Sequence, residues 1–318
     1  MREITITTND AGQRIDRFLQ KALPALPGTL AQKYIRLKRI KVDGKRTERS
    51  YRLSEGDTIQ LYIGDEFFEK PPDMALYRTI ADPKLSICYE DEHVLIVNKP
   101  PDILCHSSTN PTEITLVDQV KAYLYQSGAW NPETELSFVP ALSNRLDRNT
   151  GGLAIVAKSA IAQRILNAKL RTGEIDKYYL LAVLGCPTPD SGRIEGHLVK
   201  DRAQNIVSIA EAHDVDAKSA VLEYQTLETA RDLSLVECKL ITGRSHQIRV
   251  QMANLGTPIL GDHKYGGGDR EPHQALWAYR LRFAFLTDAG ELAYLTGQEF
   301  HSTEAPFIAK YFINSQKK

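Results

Sequence analysis

The chain has 318 residues, 42% of them hydrophobic and 25% charged, an ordinary globular balance that leaves room for two domains at ~100–200 residues each. Its longest apolar runs, such as 95–97 and 180–184, fall far short of the roughly 20 residues that cross a bilayer, and no apolar signal segment follows the first four residues, so no membrane helix and a cytoplasmic location are predicted. Forty Lys and Arg balance forty Asp and Glu, but unevenly: residues 12–62 hold twelve Lys and Arg against five acids, a net +7 that leaves −7 elsewhere. Counterion release depends on local clustering of cations, so this segment is either a nucleic-acid-binding face or the solvated surface of a small domain.

The basic segment begins with Ile15, Phe18, Leu19 and Ala22 at helical spacing, which predicts a helix ended by Pro24 and Pro27-Gly28. Leu30, Tyr34, Ile35 and Leu37 begin a second helix, and Ile40-Lys-Val enters a tight turn at Asp43-Gly44. Gly56-Asp57 then turns the chain into a last alternating strand. Periodicity is lost over 64–83, where Glu69-Lys-Pro-Pro-Asp suits neither helix nor ladder, so a flexible linker (66–84) is placed between a small unit at 1–65 and a larger domain at 85–318.

Beyond the linker, β-branched and aromatic runs at 93–98, 153–157, 178–184, 221–227 and 233–241 predict strands. A helix is predicted over 159–171, with Ser159 as its N-cap and Gly173 ending it. This is an α+β domain on a mixed or antiparallel sheet, preceded by a small α/β module. Cys88, Cys105, Cys186 and Cys238 form no C-x-x-C pair, so neither disulfides nor a cysteine zinc site is expected.

Three polar clusters interrupt the strands. In Ser143-Asn-Arg-Leu-Asp-Arg-Asn-Thr-Gly-Gly, Asp147 is flanked by Arg145 and Arg148, which favour its ionised form, either as a nucleophile or as half of a structural ion pair. In Asp176-Lys-Tyr-Tyr, Lys177 and Tyr179 share one face of a strand; the phenol either stacks on a base and passes a proton or is simply core. Thr242-Gly-Arg-Ser-His-Gln-Ile-Arg offers Arg244, His246, Gln247 and Arg249 with no carboxylate nearby, so an anion is wanted there, a phosphate or Asp147 itself. His246, His263 and His273 match no zinc spacing, and no metal is expected.

The segment carrying Arg14-Ile-Asp-Arg-Phe-Leu, Lys33-Tyr-Ile-Arg-Leu-Lys-Arg-Ile-Lys-Val-Asp-Gly-Lys and Glu55-Gly-Asp-Thr-Ile resembles a small RNA-binding module found in a ribosomal protein, tyrosyl-tRNA synthetases and RNA-modifying enzymes. One departure is Gly28-Thr29-Leu30, where that module usually has a Ser-Arg pair. The resemblance implies RNA contacts from Lys33, Arg36, Lys38, Arg39, Lys41 and Lys45.

From about residue 85 onward, Asn98-Lys-Pro-Pro-Asp-Ile-Leu-Cys-His, Asn144-Arg-Leu-Asp-Arg-Asn-Thr-Gly-Gly, Lys177-Tyr-Tyr and Thr242-Gly-Arg-Ser-His-Gln-Ile-Arg stand in the order of the RluA-type RNA pseudouridine synthases, which the chain resembles. That implies a cofactor-free isomerisation of uridine to pseudouridine in folded RNA. Asp147 is then the nucleophile, Tyr179 packs on the base and accepts a proton, and Arg249 pairs with the carboxylate. Leu276 closes the pocket, Arg145 fills the place of the extruded base, and His106, Arg244, His246 and Gln247 line the approach. Relatives often have His at the positions of Asn144 and Gln251.

Attack on the sugar and removal of its 2′ proton both fit a carboxylate, and the sequence leaves them open. Large-subunit ribosomal RNA is the expected target, with transfer RNA as the alternative, and a monomer is expected. An inactive RNA binder would not need Asp147, and a nucleoside or glycoside hydrolase would want a second acid near it.

Overall fold

Burial of Ile15, Phe18, Leu19 and Ala22 on one face of α1 (Ile15–Ala22), with Arg17 and Lys21 left outside, follows from their helical spacing. The computed structural model describes residues 1–69, 75–107, 110, 112–201, 203–303 and 305–312. Before α1 runs β1 (Arg2–Thr5), which the sequence did not signal; after it come α2 (Gly28–Arg36), β2 (Ile40–Val42), β3 (Lys45–Arg46) and β4 (Thr58–Leu61). These strands form a sheet in the order β1-β4-β2-β3. Asp43 and Gly44 both take positive φ, 50° and 73°, as the two-residue turn between β2 and β3 requires. Phe18, Ile35, Ile40 and Ile59 belong to a core separate from that of the rest of the chain.

The expected linker is only partly extended. Phe67 and Phe68 pack on the small core, whereas Tyr77 and Ile80 are buried in the larger one; residues 70–74 of that segment lie outside the described residues.

The larger unit comprises β5 (Ser86–Glu90), β6 (Val94–Lys99), α3 (Leu116–Gln126), β7 (Ala141–Leu142), β8 (Gly151–Ala157), α4 (Ala160–Thr172) and β9 (Ile175–Leu184). There follow β10 (Ser191–Asp201), β11 (Ile206–Ala210), β12 (Lys218–Ala230), β13 (Leu233–Leu240), α5 (Gln247–Asn254), β14 (Leu276–Phe283), β15 (Glu299–His301) and α6 (Pro306–Tyr311). The long strand β10 was not anticipated: its charged and small residues lack an apolar run. α3 carries a capping box between Thr115 and Asp118, and α4 starts on Ser159 and ends at left-handed Gly173, as predicted.

The strands join one α+β sheet in the order β11-β10-β12-β13-β9-β14-β8-β6-β5, with β7 beside β8 and β15 beside β14. It is mixed, because β8 and β14 run parallel. Gly151 and Gly152 permit their close approach: a Cβ on Gly151 would stand 2.1 Å from the Trp277 ring, and one on Gly152, at φ +107°, 2.1 Å from the Ala278 carbonyl. Among the described residues, no helix is long and apolar enough to cross a membrane.

Candidate active site

Asp147 lies in the turn between β7 and β8, and two buried groups fix that turn. The Cys105 thiol donates to the Leu146 carbonyl and accepts the Leu146 amide, both at 3.3 Å. On the other side the Lys99 ammonium, fully buried, donates to the carbonyls of Pro100, Arg148 and Thr150 at 2.8, 2.7 and 2.9 Å. Burial pulls the Lys99 pKa down to about 8, with the nearby Asp147 carboxylate among the groups acting the other way. Three donors meet three acceptors, so the protonated side chain ties the ends of the Asp147 turn together.

The Asp147 carboxylate meets Arg249, in the first turn of α5. Arg249 Nη1 donates to Asp147 Oδ2 at 3.0 Å, while its Nε and Nη2 grip Asp262 at 2.7 and 2.8 Å. Asp262 is fully buried, and this bidentate grip aims the remaining nitrogen at Asp147. Burial works against the charge on Arg249, but the two carboxylates outweigh it and hold the guanidinium pKa above its ordinary value. The Asp147 side chain stays 30% exposed, and among the described residues nothing bonds its Oδ1.

His246 stands at the start of α5 in the left-handed region, φ 50°, with Nε2 3.9 Å from Asp147 Oδ2. Its Nδ1 meets the Tyr265 hydroxyl at 2.7 Å, and that hydroxyl already accepts the Val207 amide at 2.9 Å. With no other acceptor beside it among the described residues, Tyr265 gives its proton to Nδ1, and the imidazole carries its own on Nε2, facing Asp147. Burial lowers the His246 pKa, which keeps the ring neutral near pH 7 despite the Asp147 charge.

Tyr179 on β9 and Leu276 on β14 share one face of the sheet: Tyr179 pairs with Ala278 and Leu181 with Leu276, two residues away on each strand. Tyr179 is buried, and burial together with the nearby Asp147 charge raises its pKa, so the side chain is a phenol and not a phenolate at neutral pH. Arg145 is exposed beside Asp147, and half-buried His106 feels its charge.

Residues 93–254 match the RNA pseudouridylate synthase family and residues 13–59 the S4 domain. The chain is 32% identical over 268 residues to an uncharacterized RNA pseudouridine synthase, YlyB, of Bacillus subtilis (strain 168), spanning 83% of this chain and 82% of that one. It is 30% identical over 272 residues to the ribosomal large subunit pseudouridine synthase C of Escherichia coli (strain K12), spanning 84% and 80%. The chain belongs to the RNA pseudouridylate synthase family. It is an enzyme that isomerises uridine to pseudouridine in RNA. The solved structure of human RNA Pseudouridylate Synthase Domain Containing 4 shares its fold, with a TM-score of 0.56 at 21% identity over 70% of this chain and 90% of that one.

The structure qualifies how the sequence placed some of these groups. Asp147 takes its cation from Arg249, 102 positions away; Arg148 turns instead to Glu113, at 2.6 and 3.1 Å, and Arg145 makes no ion pair among the described residues. Gln247 does not line the approach: it is buried, accepts from the Thr242 hydroxyl and the Arg244 amide, and donates to the Val221 carbonyl, so its amide is consumed in holding its own turn. Arg244 spends its Nε on the Ser219 carbonyl while remaining exposed.

The side-chain amides of Asn144 and Gln251, the two departures from the family pattern, bond to backbone groups. Asn144 bonds the backbone of Leu153 and Ile155 on β8, and Gln251 reaches the carbonyls of Ile194 and Ala220. Lys99, Asp262 and Tyr265 were missed as contributors, although the first stands in the quoted Asn98-Lys-Pro-Pro motif and the others in Gly261-Asp-His-Lys-Tyr. Their signal was a charged or phenolic residue inside a glycine- or proline-bearing turn beside each motif. In the S4 unit, Lys33, Arg36, Lys38, Arg39 and Lys45 are exposed and Lys41 half-buried, with Arg39 over the Tyr34 ring and Lys41 over Tyr62.

Proposed function

We propose that the enzyme modifies large-subunit ribosomal RNA, that Asp147 is its nucleophile, and that the reaction runs without a cofactor. The observation that supports the Asp147 reading is the asymmetry of its carboxylate, with Oδ2 held at 3.0 Å by Arg249 and Oδ1 left without a partner among the described residues in a side chain still open to the pocket. A held oxygen fixes direction, and a free one reacts.

In the reaction the bond from C1′ to N1 breaks, the detached uracil turns, C5 bonds to C1′, and C5 then loses a proton while N1 gains one. Nothing is oxidised or reduced. Asp147 Oδ1 serves either opening step, attack on C1′ or removal of the 2′ proton. Arg249 remains against Oδ2, so the carboxylate does not have to be neutralised to enter a pocket that excludes water. Tyr179 packs on the uracil as a neutral phenol, with Leu276 beside it on the same face. As a phenol it takes the C5 proton in step with passing its own to Asp147, which is a free carboxylate again once C5 has bonded to C1′ and from which the proton goes on to N1. Arg145, exposed next to the nucleophile, takes the room the extruded base leaves.

Asp262 speaks against a glycosidase. It is the second acid such an enzyme would want, but both its oxygens are spent on Arg249 and it has no access to the pocket. The ribosomal target rests on the naming of the Escherichia coli relative and on the exposed cations of the S4 unit. The test is pseudouridine mapping in total RNA from cells lacking the enzyme and cells given it back, as wild type or Asp147→Asn. Loss and return of a signal in large-subunit ribosomal RNA is expected. A signal confined to transfer RNA overturns the target, and restoration by Asp147→Asn overturns the nucleophile.

A further inference from the structure

The S4 unit is docked against the catalytic unit through buried polar contacts. Asp10 is fully buried, accepting from the Ser137 hydroxyl at 2.6 Å and from the Thr7 hydroxyl at 2.8 Å, and Gln13 donates to Ser137 Oγ at 2.7 Å. Asn9 donates to Glu135 at 3.0 Å and accepts, at 3.1 Å, the amide of Ala160, the first residue of α4. Separation would strip Asp10 of its Ser137 donor and leave it only Thr7, a costly loss for a buried carboxylate, so the two units hold a set spacing.

This docking leaves a cleft of about 1190 Å³ between them. Arg17 and Lys21 of α1 and the nearby Arg52 line one side, and Arg164 of α4 lines the other. All four are exposed, and among the described residues none has a carboxylate at ion-pair distance. Of the acids that line the cleft, Glu133 is paired with Arg78, whereas Glu135 accepts from the neutral Asn9 amide and has no cation at ion-pair distance among the described residues. Arg52 and Arg164 converge on Gly12 from the two units: Arg52 donates to its carbonyl at 2.9 Å, and the Arg164 guanidinium carbon stands 3.7 Å from where a Cβ on Gly12 would lie. Arg164 feels the charge of Glu291 without pairing with it, and Arg52 has no acid at ion-pair distance among the described residues, so the two cations leave room for an anion between them. Half-buried Leu136 and exposed Val139 give the cleft an apolar strip beside the cations.

We propose that this cleft binds a strand of the RNA substrate, its phosphates on Arg17, Lys21, Arg52 and Arg164 and its ribose and base faces against Leu136 and Val139. The proposal rests on the RNA-modifying reading given above and adds a site to which both units contribute, distinct from the cations of α2 and its following hairpin. The cleft lies past the far end of β8 from Asp147, about 20 Å away at ~3.3 Å per residue. At ~3.4 Å per stacked nucleotide, an RNA has to continue for roughly six nucleotides beyond the pocket to reach it. The docked spacing thereby favours RNAs that carry structure at that distance from the target uridine.

The test uses the full chain with two RNAs, a long ribosomal fragment and a stem-loop too short to reach the cleft. The double variant Arg17→Glu, Arg164→Glu, with Arg17→Gln, Arg164→Gln as the milder pair, is compared with wild type for Kd across salt concentrations and for KM and kcat. On the long RNA a rise of at least about tenfold in Kd and KM is expected, with kcat kept and the salt slope reduced by about 1.4–1.8 for two lost phosphate contacts. On the short stem-loop both variants should match wild type. Unchanged Kd and slope on the long RNA, while wild type forms pseudouridine, overturn the cleft and leave the enzymatic reading standing. An equal loss on both RNAs also overturns it, because the residues would then act on the pocket or on folding. Wild type that forms no pseudouridine in either RNA counts against the enzymatic reading instead.

Discussion

Lys169 and Glu174 form a buried pair in which every polar group is used. The ammonium reaches Glu174 at 2.8 Å and two oxygens of Thr287 at 2.7 and 2.6 Å, and the carboxylate also accepts from Thr172 and from the amides of Leu286 and Thr287. Led by the bond from Lys169, these donors hold the Glu174 pKa far below the usual carboxylate range. The Arg249 cluster has similar parts but stops short of closure. Asp262 is as fully engaged as Glu174, whereas Asp147 keeps one oxygen free and nearly a third of its side chain exposed. A saturated pair can only hold the fold together; an unsaturated one held by a saturated neighbour has something left to react with.

Breaking each cluster should therefore give opposite signatures. Asp147→Asn is expected to lower pseudouridine formation at least about 10³-fold in single-turnover assays, with melting temperature and RNA affinity near wild type. Lys169→Met should instead lower the melting temperature by roughly 10 °C, since it strands a buried carboxylate, while activity per folded molecule at 25 °C is kept. A Lys169→Met enzyme that is stable but inactive would erase the distinction. Asp262→Asn is intermediate: it loosens the aim of Arg249, so kcat should drop on the order of 10²-fold with KM little changed.

Smaller effects sharpen the comparison. Tyr265→Phe removes the donor that favours neutral His246, so the histidine pKa should rise and the acid limb of the pH–rate profile should move to higher pH, with a loss of only about 3–10-fold at the optimum. An unmoved limb would show that His246 does not set it. The smallest effect concerns Lys99, whose folded pKa of about 8 lies below its ordinary 10.5. Between these values the unfolded chain binds more protons, so this group makes stability rise with pH across that window. Denaturant titrations from pH 7.5 to 10.5 should show a rise in wild type relative to Lys99→Met, and parallel curves would refute the shift.

The strands and helices that place the site were legible because their signals are local. β-Branched and aromatic runs marked β9 and β13, and Ser159 and Gly173 marked the ends of α4. Asp147 and Tyr179 were singled out through the resemblance of Arg-Leu-Asp and Lys177-Tyr-Tyr to family motifs, since the residues alone left a structural ion pair and a core aromatic open. The alternative of an ion pair with a flanking arginine rested on proximity in sequence, but the turn points Arg148 at Glu113. Gln247 was misjudged for a related reason, since a polar side chain in a polar motif reads as available until its partners are known. β10 escaped because polar and small residues outnumber apolar ones along it.

By itself the sequence determined which reactive groups the protein owns and which short segments carry them, because residue chemistry and backbone periodicity are properties of a few neighbouring positions. Only the tertiary structure decided which carboxylate stays free, which is locked onto Arg249, and how far the S4 unit stands from the pocket. Those outcomes depend on desolvation and hydrogen-bond saturation, which exist only once residues such as Asp147, Arg249 and Asp262, or Asp10 and Ser137, have been brought together from distant parts of the chain.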